Sequence, residues 1–371
     1  MKFQFDRDAM IKEVSIAQEI IANKSPISVL SNVLLIAENN TLTIKASDST
    51  VDYITKIPVD IQEEGSTTIY CDKFLKIISK APQGQIEFEQ SDITVTIRPL
   101  KGRFTLKSIA SDKFPEINSL ENGNYFELPA KELKEMIKQT SFAVSEDGNR
   151  HFMMGVHFEK QEDNLIMVAT DGRRLSYAEK TLGGMPDFPQ AIVPTKILDC
   201  VVKHAGDEGN VSLAIIDKKI FFKFGNYEFS SLLLEGEFPN YRRVIPGDLD
   251  KSFQVQKSDL LDALDRIGIY VDKTSLRTIF KLTPGKLTIF SPELELGSAD
   301  EEIPCEYNGE EIMLAFNFRD VEEPLKLMDC ERVAFDFKDA NKAAILRTEP
   351  KSDFFHVIMT MRSRASSKSD F

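Results

Sequence analysis

Three stretches of the chain carry nearly the same pattern, about a third of its length apart. They are Asp6 to Val14 (DRDAMIKEV), Pro129 to Ile137 (PAKELKEMI) and Gln256 to Leu264 (QKSDLLDAL). Met10, Leu133 and Leu260 fall in register, as do Val14, Ile137 and Leu264, at spacings of 123 and then 127 residues. Solenoid repeats recur every 20 to 50 residues or so, so a period this long marks whole domains. Each copy continues in the same order. An apolar run, a polar turn and a second apolar alternation read as a hairpin at Asn32 to Asp48, Met154 to Asp171 and Thr278 to Glu293. A second helix is predicted at Asp72 to Lys80, Pro194 to His204 and Asn317 to Met328. Two copies close on Phe-Pro (Phe114-Pro115 and Phe238-Pro239), the third on Val357-Ile358-Met359.

The expected architecture is α+β, with three repeated domains of two helices packed on antiparallel sheets. The boundaries are 1–122, 123–247 and 248–363, with a disordered polar tail at 364–371. Polar, turn-prone linkers are read at Leu120 to Asn124 and Pro246 to Asp248. Domains of this size can each bury a core. No apolar run approaches a membrane span, and the N-terminus has no apolar signal core, which predicts a soluble cytoplasmic protein. Cys71, Cys200, Cys305 and Cys330 have no paired spacing and read as reduced thiols.

The formal net charge of −13 argues on its face against a nucleic-acid partner. Its distribution argues otherwise. The predicted helices carry Lys12, Lys24, Lys73, Lys76, Lys80, Lys131, Lys134, Lys138, Lys196, Lys203, Lys326, Arg266 and Arg319, while acidic residues gather in loops. If the helices share a face, that face is basic; a merely solvated lysine surface is the plainer account. Catalytic and cofactor signatures are missing. Pro284-Gly285-Lys286 is no phosphate loop, the four histidines lack metal-ligand spacing, and no serine sits in a nucleophile elbow. The expectation is therefore no enzyme, no cofactor and no metal.

Ala169-Thr170-Asp171-Gly172-Arg173-Arg174-Leu175-Ser176 and Phe238-Pro239-Asn240-Tyr241-Arg242-Arg243-Val244-Ile245-Pro246 resemble segments of the bacterial sliding clamp, the beta subunit of DNA polymerase III. Asn149 to Gly155 and Val357 to Arg362 are also similar, and the resemblance spans about residues 1 to 363. It implies the DNA-clamp fold in a head-to-tail homodimeric ring, closed around double-stranded DNA without reading its sequence. The clamp is a processivity factor. It tethers the replicative DNA polymerase, the clamp loader and other replication and repair proteins, without chemistry of its own. The implied DNA contacts are Lys24, Arg150, His151 and Phe152. The implied partner-peptide groove comprises Met153, Thr170, Gly172, Arg173, Arg174, Leu175, Pro239, Arg243, Val244, Asn317, Ala343, Val357, Ile358, Met359 and Met361. Arg174 and Arg243 are expected to orient peptide carbonyls or an acidic partner residue. The implied dimer contact sets Arg103, Phe104, Thr105 and Leu106 of one subunit against Tyr270, Val271 and a nearby strand of the other.

Three departures stand out. Thr360 sits where the family commonly has proline, Arg173 occupies a variable position, and about eight residues run past the usual end. The tail begins at the groove and is expected either to modulate docking or to be inert. Two other readings remain open: a repeat-built interaction scaffold that does not encircle DNA, and a nucleic-acid enzyme with an unrecognised site.

Overall fold

A computed structural model describes residues 1–21, 28–117, 119–120, 123–291 and 297–361. Lys24, the linker residues Glu121 and Asn122, Glu293, and the end of the chain from Arg362 through the tail 364–371 lie outside the described residues.

Six helices are described, two for each sequence repeat: α1 (Arg7–Ile20), α2 (Cys71–Lys80), α3 (Ala130–Ser141), α4 (Thr195–His204), α5 (Lys257–Gly268) and α6 (Phe318–Leu327). α1 begins where the Asp6 carboxylate accepts hydrogen bonds from the backbone N–H groups of Asp8 (3.0 Å) and Ala9 (2.9 Å), a side-chain N-cap. Asn317 caps α6 in the same way through the N–H of Arg319. The residues in threefold register are all fully buried: Met10, Leu133 and Leu260 as one set, Val14, Ile137 and Leu264 as the other. Positions four apart share one helix face, so the two sets mark one buried stripe on each of the three helices.

The three predicted hairpins form. Asn32–Glu38 pairs with Thr41–Ser47 across Asn39 and Asn40, whose φ angles are positive. Gly155–Gln161 pairs with Asn164–Thr170, and Arg277–Thr283 with Lys286–Phe290 across Gly285.

The described residues form two compact units that do not follow the repeat boundaries. The first comprises Met1–Lys131 and Lys196–Leu233. It holds a thirteen-stranded antiparallel sheet running from Phe126–Pro129 at one edge to Asp60–Glu63 at the other. α1 packs on α2 and on the strands Thr41–Ser47 and Val51–Pro58. The second unit comprises Glu132–Thr195 and Leu234–Phe371. It holds an eight-stranded sheet, in which Arg174–Thr181 lies between Asn164–Thr170 and Phe354–Ile358, and a four-stranded sheet edged by Asp300–Pro304 and Ile312–Asn317. α5 packs on α6 and on Asp300–Pro304. The middle repeat is thus divided. Its strand Tyr227–Leu232 pairs with Val51–Pro58 of the first repeat, and its strand Arg174–Thr181 with Phe354–Ile358 of the third.

Candidate functional site

The loop from Thr170 to Arg174 is built by short-range polar bonds. The Asp171 carboxylate accepts from the backbone N–H groups of Arg173 (2.8 Å) and Arg174 (3.1 Å). Gly172 sits at φ 89°, a left-handed conformation that glycine adopts without a Cβ clash. A Cβ there would lie 3.0 Å from Nη1 of Arg150, which donates to the Asp171 carbonyl at 2.7 Å. The N–H of Met359 donates to the Arg173 carbonyl, which ties the end of strand Phe354–Ile358 to this loop.

A second wall comes from the Phe238 to Val244 segment. Its short 3-10 turn, Tyr241–Arg243, is held by one carboxylate: Tyr241 Oη donates to Glu159 at 2.8 Å and Arg242 Nη2 at 2.9 Å. Burial would raise the Glu159 pKa, but Arg242 and Tyr241 together hold it below the usual carboxylate range. Phe238 stacks on His157 at 4.6 Å, and burial lowers the pKa of that imidazole.

Between these walls lies an apolar cavity of about 270 Å³. Its lining includes Met153, Thr170, Gly172, Arg173, Arg174, Leu175, Pro239, Val244, Val357 and Met359, all in the set implied by the sequence resemblance. Leu175 and Val357 face each other across adjacent strands and join Ile166, Val168 and Tyr241 in one core cluster beneath it. The lining holds no carboxylate.

Five residues of the implied set stand apart from that lining. Ile358 is fully buried, and strand alternation turns it to the opposite face from Val357. Ala343 packs against the cluster below, Met361 is held by its N–H to the Ala315 carbonyl, and Arg243 is exposed just outside. Asn317 lines a neighbouring polar cavity of about 560 Å³, shared by Arg173 and Arg174 and containing Arg150, Asp171, Asp320 and Glu323. Conversely, Asn240 and Tyr241 line the apolar cavity but were missed. Both lie inside the quoted Phe-Pro-Asn-Tyr segment, whose adjacency to Pro239 was the available signal.

Arg174 joins the two cavities. Its guanidinium donates to Asp171 (3.2 Å), to Glu323 and to the Phe142 carbonyl (2.8 Å), lies 3.4 Å from Asp320, and rests over the Phe142 ring. It is therefore occupied by this protein's own carboxylates, unlike Arg173 and Arg243, which are exposed and carry no carboxylate partner among the described residues. Burial pushes the Asp320 carboxyl up to about 6 despite the nearby guanidinium, and Asp171 and Glu323 add to the rise. His356 is fully buried against Phe142, neither ring nitrogen has a hydrogen-bond partner among the described residues, and burial pushes its pKa down to about 3.

The remaining predicted residues are scattered. Arg150 is engaged by Asp147 and the Asp171 carbonyl, His151 is exposed, and Phe152 is half-buried against Gly236. Strand Phe104–Ile109 pairs with Thr94–Arg98 through Phe104 to Lys107, and with Gly65–Tyr70 only at Ser108 and Ile109. Its first four residues thus have one open backbone edge among the described residues. Arg103 and Phe104 are exposed and Leu106 is half-buried. Tyr270 and Ile269 are exposed after α5, but Val271 is buried. The helix cations do not form one uniform basic set. Lys76, Lys196, Lys203, Lys326 and Arg266 are paired with Asp72, Asp48, Glu19, Glu322 and Glu301. Lys134 is buried, whereas Lys73, Lys80, Lys131 and Lys138 are exposed and have no carboxylate partner among the described residues. All four cysteines are free and three are buried. Among the described residues no cluster of three or more metal-ligating side chains occurs, and no helix is long and apolar enough to cross a membrane.

Known proteins resemble the chain along nearly its whole length. Models of the N-terminal, central and C-terminal domains of the DNA polymerase III beta subunit match residues 1–118, 127–240 and 242–362. The beta sliding clamp of Treponema pallidum is 42% identical over 370 residues, covering 98% of this chain and 100% of the relative. That of Pseudomonas aeruginosa is 28% identical over 367 residues, with 98% and 100% covered. Among solved structures, the P. aeruginosa sliding clamp bound to griselimycin superposes with a TM-score of 0.92 at 28% identity, covering 98% of this chain and 99% of that one. The Bacillus subtilis clamp superposes at 0.94 with 25% identity and the same coverage. The chain belongs to the bacterial DNA polymerase III beta subunit family, the sliding clamps.

Proposed function

We propose that two copies of the chain close head to tail into a ring around duplex DNA, and that the apolar cavity is where partner proteins insert a peptide. The observation that carries this reading is the family match in three consecutive domains across residues 1–362, on a chain that also presents a preformed apolar slot. The domain boundaries we propose remain 1–122, 123–247 and 248–363.

The chemistry of such a ring is attraction without readout. Exposed cations such as Lys73, Lys80, Lys131 and Lys138, which meet no carboxylate among the described residues, would supply sequence-independent, salt-dependent contacts to phosphate. His151, Phe152 and Arg150 would add to these, Arg150 only in part because Asp147 engages it. The protein acts in the cytoplasm by tethering the polymerase, the clamp loader and other partners, not by catalysis. Tethering raises the polymerase's effective concentration at the primer end. The peptide site is centred on Leu175, Val357, Met153 and Met359, with Arg173 and Arg243 free to meet an acidic partner residue.

The subunit contact we assign is the open edge at Phe104 of one copy, flanked by Arg103, against the Tyr270 region and the acidic edge strand Asp300–Pro304 of the other. Open strand edges pair readily across chains, and opposite charges favour this pairing. Retention on a nicked circular plasmid, lost when the plasmid is linearised, is the expected result. Binding that ignores the topology of the DNA, or no binding, would overturn the ring and favour a scaffold that does not encircle DNA.

A further inference from the structure

The first unit contains a second version of the frame that shapes the groove. The Asp48 carboxylate accepts from the N–H groups of Thr50 (2.8 Å) and Val51 (2.7 Å), two and three residues on, as Asp171 does in the groove. Ser49 takes the place of Gly172, at φ 81° against 89°. Leu30, in the 3-10 turn before strand Asn32–Glu38, takes the place of Met153 before strand Gly155–Gln161. Phe114-Pro115 stands for Phe238-Pro239. Leu232 and Met359 each follow the last residue paired in equivalent strand pairs, Ser231 and Ile358, and are 40% and 48% exposed. Inside this frame is a cavity of about 330 Å³, walled by Val29, Leu30, Pro115, Ile117 and Leu232.

One exchange changes its chemistry. The facing pair Leu175 and Val357 on the groove floor becomes Asp52 and Ser230, which face each other in the same register. The Asp52 carboxylate accepts from Ser47 Oγ at 2.7 Å and Ser230 Oγ at 3.1 Å, and Lys219 Nζ lies 3.4 Å away. A carboxylate offers about four acceptor sites, so one remains, and the lysine is a distant, partly exposed third partner. Exposed Lys113 and Glu116 also line the cavity and contribute one charge of each sign. Apolar walls above a carboxylate suit an aliphatic stem that carries a cation.

We infer that this cavity is a second peptide-docking site whose occupant is an extended peptide inserting an arginine side chain. The stem lies against Leu30, Ile117 and Leu232, and the guanidinium reaches Asp52 and displaces Lys219. The inference rests on the groove reading only for the mode of docking; the choice of side chain follows from Asp52.

The test is methyl NMR on the full-length protein, titrated with acetyl-Ala-Arg-Ala-amide and with acetyl-Ala-Leu-Ala-amide. The arginine peptide is expected to shift the Val29, Leu30 and Leu232 methyls. Its affinity there should exceed that of the leucine peptide at least tenfold, and should fall at least tenfold in Asp52→Asn, which keeps the side-chain shape. The inference is overturned by silent methyls at these positions, by equal or better binding of the leucine peptide, or by undiminished arginine binding in a folded Asp52→Asn protein. The two-peptide comparison on the unmodified protein decides the matter even if that variant does not fold. Met153, Val357 and Met359 report the groove separately. Their silence toward the leucine peptide, with the first unit responding to arginine, would sink the groove reading alone.

Discussion

Arg174 shows how a residue beside a docking groove can be a structural residue first. Three carboxylates converge on its guanidinium, and it is largely buried. Arg174→Ala would remove the one cation that all three contact, and breaking a buried ion pair from one side costs about 3–5 kcal/mol. Urea denaturation should show a loss in that range. Asp320 titrates in the opposite sense to most paired carboxylates. Its folded pKa, about 6, lies above the ordinary 3.8, so the fold favours the protonated acid. The stability it adds is complete below pH 4 and is lost as the pH rises through 6. Asp320→Asn should therefore stabilise the protein at pH 7, by up to about 3 kcal/mol for a shift of this size, and show no gain at pH 3.5. Equal melting temperatures for the two proteins at pH 7 would contradict this. At Gly172 a branched side chain would meet both a positive φ and the Arg150 guanidinium. Gly172→Val should cost about 1–3 kcal/mol in thermal unfolding.

The elements of the groove depend on anchors that sequence spacing does not reveal. Glu159 lies on strand Gly155–Gln161 and pins the 3-10 turn Tyr241–Arg243 through two donors. Glu159→Ala should free that wall. Peptide affinity at the groove is expected to drop at least tenfold, read by fluorescence anisotropy, although Glu159 is not in the cavity lining. An unchanged affinity in a folded variant would show that the wall holds without its anchor. The helices were legible because their apolar residues recur at helical spacing, and the threefold register of Met10, Leu133 and Leu260 is also a register of burial. The charge on those helices was not legible. Lys196 meets Asp48, and Lys203 meets Glu19, across more than a hundred residues of chain. A count of lysines therefore overstated the free positive charge. Ile358 followed the same logic in a strand, since its neighbour Val357 faces the cavity and it does not.

At the scale of the molecule the proposed ring depends on a subunit contact that can be separated from folding. Phe104 is exposed on an open strand edge, so Phe104→Asp should leave each subunit folded and halve the mass measured by light scattering. Tyr270→Asp should do the same. Val271 makes no such clean probe, because its side chain is buried and a charge there would unfold the chain around it. A dimer that persists in both exposed variants would move the interface elsewhere.

The order of the elements, the three copies and the family were all readable from residues alone, because repeat register and contiguous motifs are properties of the chain. The groove's residues were readable where they lie in those motifs. Tertiary structure alone decided which of them face the cavity, which cations are already neutralised, and that the middle repeat shares its sheets with both neighbours. Those outcomes depend on partners distant in sequence, and a side chain's direction and free charge are set by what packs against it. The same physics separates Leu175 from Asp52: one frame, repeated, acquires a different floor only once its strands are paired.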